Sequence, residues 1–104
     1  MFGFFSSIPS ISTEELARKT DKSFILLDVR TPSEYRSGHI KNAKNIPVNK
    51  IESYEQDKNE EIYVICQSGV RSKQASRILK KKGYKVINVR GGMSRWNGPT
   101  RGGK

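Results

Sequence analysis

The chain carries one cysteine, and the residues around it give that thiol a chemical use. Cys66 ends the apolar, β-branched run Ile62-Tyr63-Val64-Ile65 and opens the polar stretch Gln67-Ser68-Gly69-Val70-Arg71-Ser72. From Ser72 onward the apolar residues fall at helical spacing. The pattern reads as strand, loop and helix, with a sulfur at the carboxyl end of the strand. Ligands of open α/β sheets bind at such strand ends. The start of a helix adds unpaired N–H groups and the positive end of the dipole, and both favour an anion. A cysteine there has its thiolate stabilised, and the thiolate is the reactive form. Free cysteine is more often a buried packing residue. Cys66 instead borders a polar loop, which favours a reactive thiol.

The loop residues fit that reading. Gln67, Ser68, Gly69, Val70 and Arg71 can turn successive N–H groups toward one point, a nest for an anion. Gly69 relieves the steric limit at a tight position. Arg71 adds a positive charge close to the thiolate and can also pair with a nearby carboxylate, and both roles are expected. Spacing separates two chemistries. Four residues lie between Cys66 and Arg71, whereas the cysteine phosphatase signature has five. The shorter ring of N–H groups suits a single sulfur better than a tetrahedral phosphate. Phosphoryl transfer also needs a general acid for its leaving group. Asp28 and Glu34 are the obvious candidates, and both read as structural.

Several elements must hold this loop. Ser12-Thr13-Glu14-Glu15 has the form of a capping box that starts a helix ending near Lys19 or Thr20, with Leu16 and Ala17 inward. Ile8, Pro9 and Ile11 before it suggest an edge strand. The continuous apolar run in residues 23–29 reads as a strand buried on both faces, which points to a parallel sheet. Thr31 can cap a short helix with Pro32 at its first position, and Gly38-His39-Ile40 ends it. Residues 43–47 read as a brief strand stopped by Pro47, and residues 49–54 as a weak helical turn. The cysteine strand follows a charged surface loop. Residues 72–82 form the clearest helix, with Ala75, Ile78 and Leu79 as its buried stripe and Gly83 after its end. A fifth strand covers residues 84–89, and residues 93–96 can make one helical turn. Alternating strands and helices imply an α/β fold with a central, mainly parallel five-stranded sheet and helices on both faces.

The totals bound the rest. The 104 residues suit one domain. The expected division is an apolar, flexible segment at 1–7, a domain at 8–97 and a flexible basic tail at 98–104. A single cysteine excludes an internal disulfide and any multi-cysteine zinc site. A lone thiol suits a reducing compartment, so the expected location is the cytoplasm. Met1-Phe2-Gly3-Phe4-Phe5 lacks a basic n-region and a long apolar run, so neither a signal peptide nor a membrane span is expected. Lys and Arg number 20 against 10 for Asp and Glu, a formal net charge of +10. That charge favours anionic partners in general, and most of the lysines read as solvated surface. Nucleic acid ranks low because aromatics are not interleaved with the basic residues as stacking platforms.

Three segments together carry a family resemblance. They are residues 28–47, including Asp28-Val29-Arg30, Glu34-Tyr35 and Gly38-His39-Ile40; residues 66–72; and residues 89–96, including Arg90-Gly91-Gly92. The chain resembles a single-domain rhodanese, a member of the sulfurtransferase family. The resemblance implies a rhodanese-like fold and a persulfide mechanism. Cys66 would attack the sulfane sulfur of a small anionic donor such as thiosulfate, and an acceptor such as cyanide or a thiol would take the sulfur onward. The resemblance implies no cofactor and no metal. Residues 67–72 would bind the substrate and the persulfide, while Asp28, Arg30 and Glu34 would serve as structural support. Arg30 and Glu34 are spaced to form an ion pair bracing the loop after the second strand. Asp28 would anchor backbone or Arg71. His39 reads as a turn-stabilising residue and Trp96 as a cap on the core.

Two positions depart from the family pattern. Lys41-Asn42 stands where Pro-Gly is common, and Asn still tolerates a left-handed turn. Gln67 stands where Arg is common, which removes a charge from the pocket rim and leaves persulfide or polysulfide donors open beside thiosulfate. The leading hypothesis is therefore a sulfurtransferase. The second is a carrier or sensing module that exchanges a persulfide with a donor or acceptor protein. Nucleic-acid binding and phosphatase chemistry rank below both.

Overall fold

The computed structural model describes residues 8–19 and 24–103. The segment assigned above to residues 1–7 lies outside the described residues. Five strands form one sheet: β1 (Ser10–Ile11), β2 (Ile25–Asp28), β3 (Lys44–Asn45), β4 (Glu61–Ile65) and β5 (Lys85–Val89), in the spatial order β1-β5-β4-β2-β3. Every neighbouring pair is parallel. The helices are α1 (Thr13–Arg18), α2 (Pro32–Ser37), α3 (Val70–Lys81) and α4 (Gly92–Arg95), with a 3-10 helix at Val48–Ser53.

The alternation of side chains along a strand decides which face each residue joins. Ile62, Val64 and Cys66 pack on one face with Leu27, Val29, Ile51, Tyr54, Ala75 and Leu79. Tyr63 and Ile65 turn to the other face, with Leu16, Leu26, Ala43 and Val89. Parity alone thus sends the Cys66 sulfur to the face covered by α3. Both faces are covered, which is why the strands read as continuous apolar runs.

Local signals account for the helix starts. Ser12 and Glu15 form a reciprocal capping box at α1, and Thr31 and Glu34 form a second at α2, with Pro32 in its first turn. Asn42 takes a left-handed conformation, φ 73°. Leu16 is buried as expected, but Ala17 is exposed. α1 is only six residues long, so one turn meets the sheet, and Thr13 and Leu16 fill it.

Residues 98–103 run back over the α2 side. His39 and Arg101 exchange both backbone hydrogen bonds at 2.8 Å, and the Gly103 N–H donates to the Arg36 carbonyl at 2.8 Å. The His39 ring stacks on Tyr35 with centroids 3.7 Å apart, and its Nδ1 lies 2.8 Å from the Tyr35 carbonyl oxygen. Trp96 packs, partly buried, against the second core cluster.

Candidate active site

The strand β4 delivers Cys66 to the start of α3, and three residues, Gln67, Ser68 and Gly69, make the connection. Gly69 caps α3 in the left-handed region, φ 107°. That conformation is open to glycine at little cost, and it folds the loop over the sulfur. The Gly69 N–H donates to Sγ at 3.0 Å, and the Ser72 hydroxyl lies 3.4 Å from Sγ. The Cys66 S–H donates to that hydroxyl, whose own proton goes to the Gly69 carbonyl at 3.1 Å; an ionised sulfur can take that proton instead.

Burial pushes the Cys66 thiol up. The Ser72 hydroxyl and the N–H groups of Ser72, Gly69 and Ser68 outweigh it, and the thiol ends below its ordinary value. Hydrogen bonding to the charged form is the mechanism. A larger share of the sulfur is then thiolate near neutral pH. The thiol is nonetheless almost wholly covered, 1% exposed. A reacting partner must reach it through the loop opening.

The ion pairs differ from those expected. Arg30 does not pair with Glu34. Its guanidinium grips Asp28 through Nε to Oδ1 at 2.9 Å and Nη2 to Oδ2 at 2.8 Å. Arg30 precedes the α2 cap, so helical spacing to Glu34 does not apply. Its side chain lies at the carboxyl end of the sheet beside Asp28, two residues back on the same strand face. The pair is buried, and Asp28 also accepts from the Arg30 backbone N–H at 3.1 Å. Asp28 therefore anchors backbone, as expected, but holds Arg30 and not Arg71. The remaining Arg30 donors reach the Gly38 carbonyl at 2.7 Å and the Gln67 Oε1 at 3.2 Å. One buried guanidinium thus ties the β2 end, the α2 exit turn and the residue after the cysteine.

Glu34 pairs with Arg71. The contact is bidentate, 2.8 and 3.0 Å. The Arg71 guanidinium holds the Glu34 carboxyl down at about 2. The ion pair latches the start of α3 to α2, and the same guanidinium also interacts electrostatically with Cys66. Glu34 has its lowered value only in the folded state. Its contribution is therefore fully present above the free carboxyl value near 4.5 and is lost as pH falls toward 2. Both side chains are about one-third exposed, so solvent screening reduces the contribution to about 1 kcal/mol. Glu34→Gln keeps a capping-box residue but removes the charge. It should lower urea-denaturation stability by about that amount at pH 7. The gap to the native chain should close between pH 4.5 and pH 2. A gap that stays constant to pH 3 would contradict the assignment.

The sequence reading assigned no role to α4, yet it sets the loop geometry. The Met93 N–H donates to the Cys66 carbonyl at 2.8 Å, and the Ser94 N–H to the Gln67 carbonyl at 2.9 Å. In a trans peptide the carbonyl and the following N–H point in opposite directions. Holding these carbonyls toward α4 turns the next N–H groups away from it, and that of Ser68 acts on the sulfur. Gly92 makes the approach possible. A Cβ there would lie 2.2 Å from the Cys66 carbonyl oxygen. The pair Gly91-Gly92 was the available sequence signal.

The remaining loop residues are placed plainly. Gln67 is half-buried against Arg30, Ser68 is exposed at the rim, and Val70 points outward, 73% exposed. The fold and site define a class: a small α/β module that presents one activated thiol in an N–H-lined loop. The chain belongs to the Rhodanese-like domain family, whose model matches residues 12–99. A Bacillus subtilis protein named as a candidate sulfur carrier, YrkF, is 47% identical over 100 residues, covering 91% of this chain and 54% of YrkF. This chain thus spans about half the length of that relative. An Allochromatium vinosum protein named sulfurtransferase is 34% identical over 86% of this chain and 88% of its own. Among solved structures, a rhodanese-like domain protein from Staphylococcus aureus superposes with TM-score 0.83 at 37% identity, covering 93% of this chain and all of that one. Among the described residues no helix is long and apolar enough to cross a membrane.

Proposed function

We propose that the chain is a sulfurtransferase that carries a sulfane sulfur as a Cys66 persulfide. The observation that supports this most is the Cys66 sulfur at the strand end, held under the loop by the Gly69 N–H at 3.0 Å and beside the Ser72 hydroxyl, an arrangement that favours the thiolate. The Cys66 thiolate attacks the outer sulfur of a donor. With thiosulfate, the S–S bond of the donor breaks and its electron pair leaves with sulfite, so Cys66 becomes a persulfide anion. The negative charge on the outer sulfur moves into the loop, where fixed N–H donors stabilise it without reorganising. In the second half-reaction cyanide or a thiolate attacks the outer sulfur. The persulfide S–S bond breaks, its electron pair returns to Cys66, and the free thiolate is restored.

The donor is the finer part of the proposal. Gln67 is uncharged, and its carbonyl oxygen is occupied by Arg30. The Arg71 charge is shared with Glu34. The rim therefore offers a doubly charged donor less attraction than two free guanidinium groups would. We place persulfide or polysulfide donors ahead of thiosulfate, with donor or acceptor proteins as candidate partners. The free thiol supports a reducing, cytoplasmic setting, and residues 8–97 are the proposed working unit.

Steady-state transfer to cyanide from each donor class tests this. A kcat/KM about tenfold higher with a polysulfide than with thiosulfate is the expected result. Equal values would remove the role given to Gln67. A persulfide that forms but turns over with neither cyanide nor a small thiol would favour the carrier reading.

A further inference from the structure

A groove of about 700 Å³ runs beside the reactive loop, between α3 and the β1–β5 edge of the sheet. It begins at Ser68 and Gly69, so it is continuous with the rim over Cys66. Val70, Lys73 and Arg77 lie along one wall. Their spacing of three and four places them on one face of α3. Arg90 stands on the opposite wall. No carboxylate lines the groove among the described residues. Lys73 and Arg77 are exposed and make no ion pair among the described residues. Arg90 donates to the Ser10 hydroxyl at 2.9 Å and lies 4.0 Å from Glu15, with both charged side chains half exposed. That contact is long and screened, and leaves the Arg90 charge open to a competitor.

Two further observations narrow the occupant. Val70 is the one exposed large hydrophobic among the described residues, and it sits where the groove meets the reactive loop. Asn88, almost wholly buried, closes the floor. The lining holds no aromatic side chain, so it lacks the stacking platforms that single-stranded nucleic acid uses.

We infer that this groove docks an extended acidic segment of a partner protein and brings that partner's sulfur to Cys66. Lys73, Arg77 and Arg90 meet its carboxylates, and Val70 packs against an apolar residue next to the reacting sulfur. The inference rests on the sulfur-transfer reading for its purpose, but docking can be measured without any sulfur chemistry.

The probe is a fluorescent, acidic decapeptide rich in Asp and Glu and ending in cysteine. The control has the same length with Asn and Gln in place of the acids. Binding to the full chain is read by anisotropy at low salt. The acidic peptide should bind at least about tenfold more tightly, with an advantage that falls as salt rises. Lys73→Glu with Arg77→Glu should remove that advantage while persulfide formation and transfer to cyanide stay at the native rate. Equal affinity for the two peptides would overturn the inference, as would an unaffected variant. So would a single-stranded RNA of equal length that binds more tightly than the acidic peptide. If the acidic peptide binds selectively but no persulfide ever forms, docking stands and the sulfur-transfer reading falls.

Discussion

Cys66→Ser should abolish sulfur transfer, reducing the rate from a thiosulfate or polysulfide donor by at least about a thousandfold. The size of the effect follows from the composition. The chain has no second thiol to take over the nucleophilic step. A serine hydroxyl in the same loop remains protonated near neutral pH, and among the described residues no histidine or carboxylate is placed to take its proton. The polar groups that act on Sγ are the Ser72 hydroxyl and the N–H groups of Ser72, Gly69 and Ser68, and none of them is a base. The substitution should leave the fold intact. Serine still offers the Gly69 N–H an acceptor, which avoids the penalty of about 1–3 kcal/mol for an orphaned buried donor. Circular dichroism and thermal melting check the fold while the transfer assay reads the chemistry. A variant that keeps a tenth of native activity would place the nucleophile elsewhere.

Gly92→Ala should be the most destabilising single methyl group that can be added near the site. Gly92 has φ +57°, and an added Cβ would meet the Cys66 carbonyl oxygen at 2.2 Å and the Gln67 carbonyl carbon and oxygen at 2.8 Å. All three atoms are backbone, so no side-chain rotation relieves the overlap. Either α4 or the reactive loop must move. Overpacking of this kind, added to a left-handed alanine, costs about 2–4 kcal/mol. For a domain of this size that is a fall in Tm of about 10–20 °C. A second effect is separable. Moving α4 away stretches the Met93 and Ser94 hydrogen bonds that orient the loop peptides. Sulfur transfer should then fall at temperatures where the variant is still folded. A Tm within about 2 °C of native would show that the loop absorbs the methyl group.

The two predictions differ in how readable they were from sequence. Cys66 stood out because strand, loop and helix are local patterns and the sulfur lies at their junction. The capping boxes at Ser12 and Thr31 were equally local. The parallel sheet followed from apolar runs too continuous for a half-exposed strand. The site's supporting contacts were less accessible, because side-chain partners depend on which elements meet in space. Arg30 looked paired with Glu34 by counting. The tertiary approach of Arg71, 37 positions beyond Glu34, takes that carboxylate instead. Gly92 was visible as a turn residue, but its contact with Cys66 spans two elements and appears only once β5 returns α4 to the loop. Burial of a six-residue helix is similarly a matter of contact, which is why Leu16 was predicted and Ala17 was misplaced.

Taken together, these contacts give one physical picture of the loop. Strand parity sends the sulfur toward α3, Gly69 folds the chain over it, and α4 fixes two carbonyls from behind. The buried Asp28–Arg30 pair and the Glu34–Arg71 latch hold the flanks. The result is a thiol that is both covered and acidified, a combination that plain burial would oppose.

Intact-protein mass spectrometry of the native chain tests the central claim most directly. The chain is incubated with a polysulfide or thiosulfate, freed of donor, and then given cyanide. The expected result is a species heavier by one sulfur atom, located to the Cys66 peptide, that returns to the starting mass on adding cyanide with thiocyanate released. Cys66→Ser should show neither change. A native chain that gains no sulfur from either donor, or one that gains it equally in the Cys66→Ser variant, would contradict a Cys66 persulfide as the carrier of the transferred sulfur.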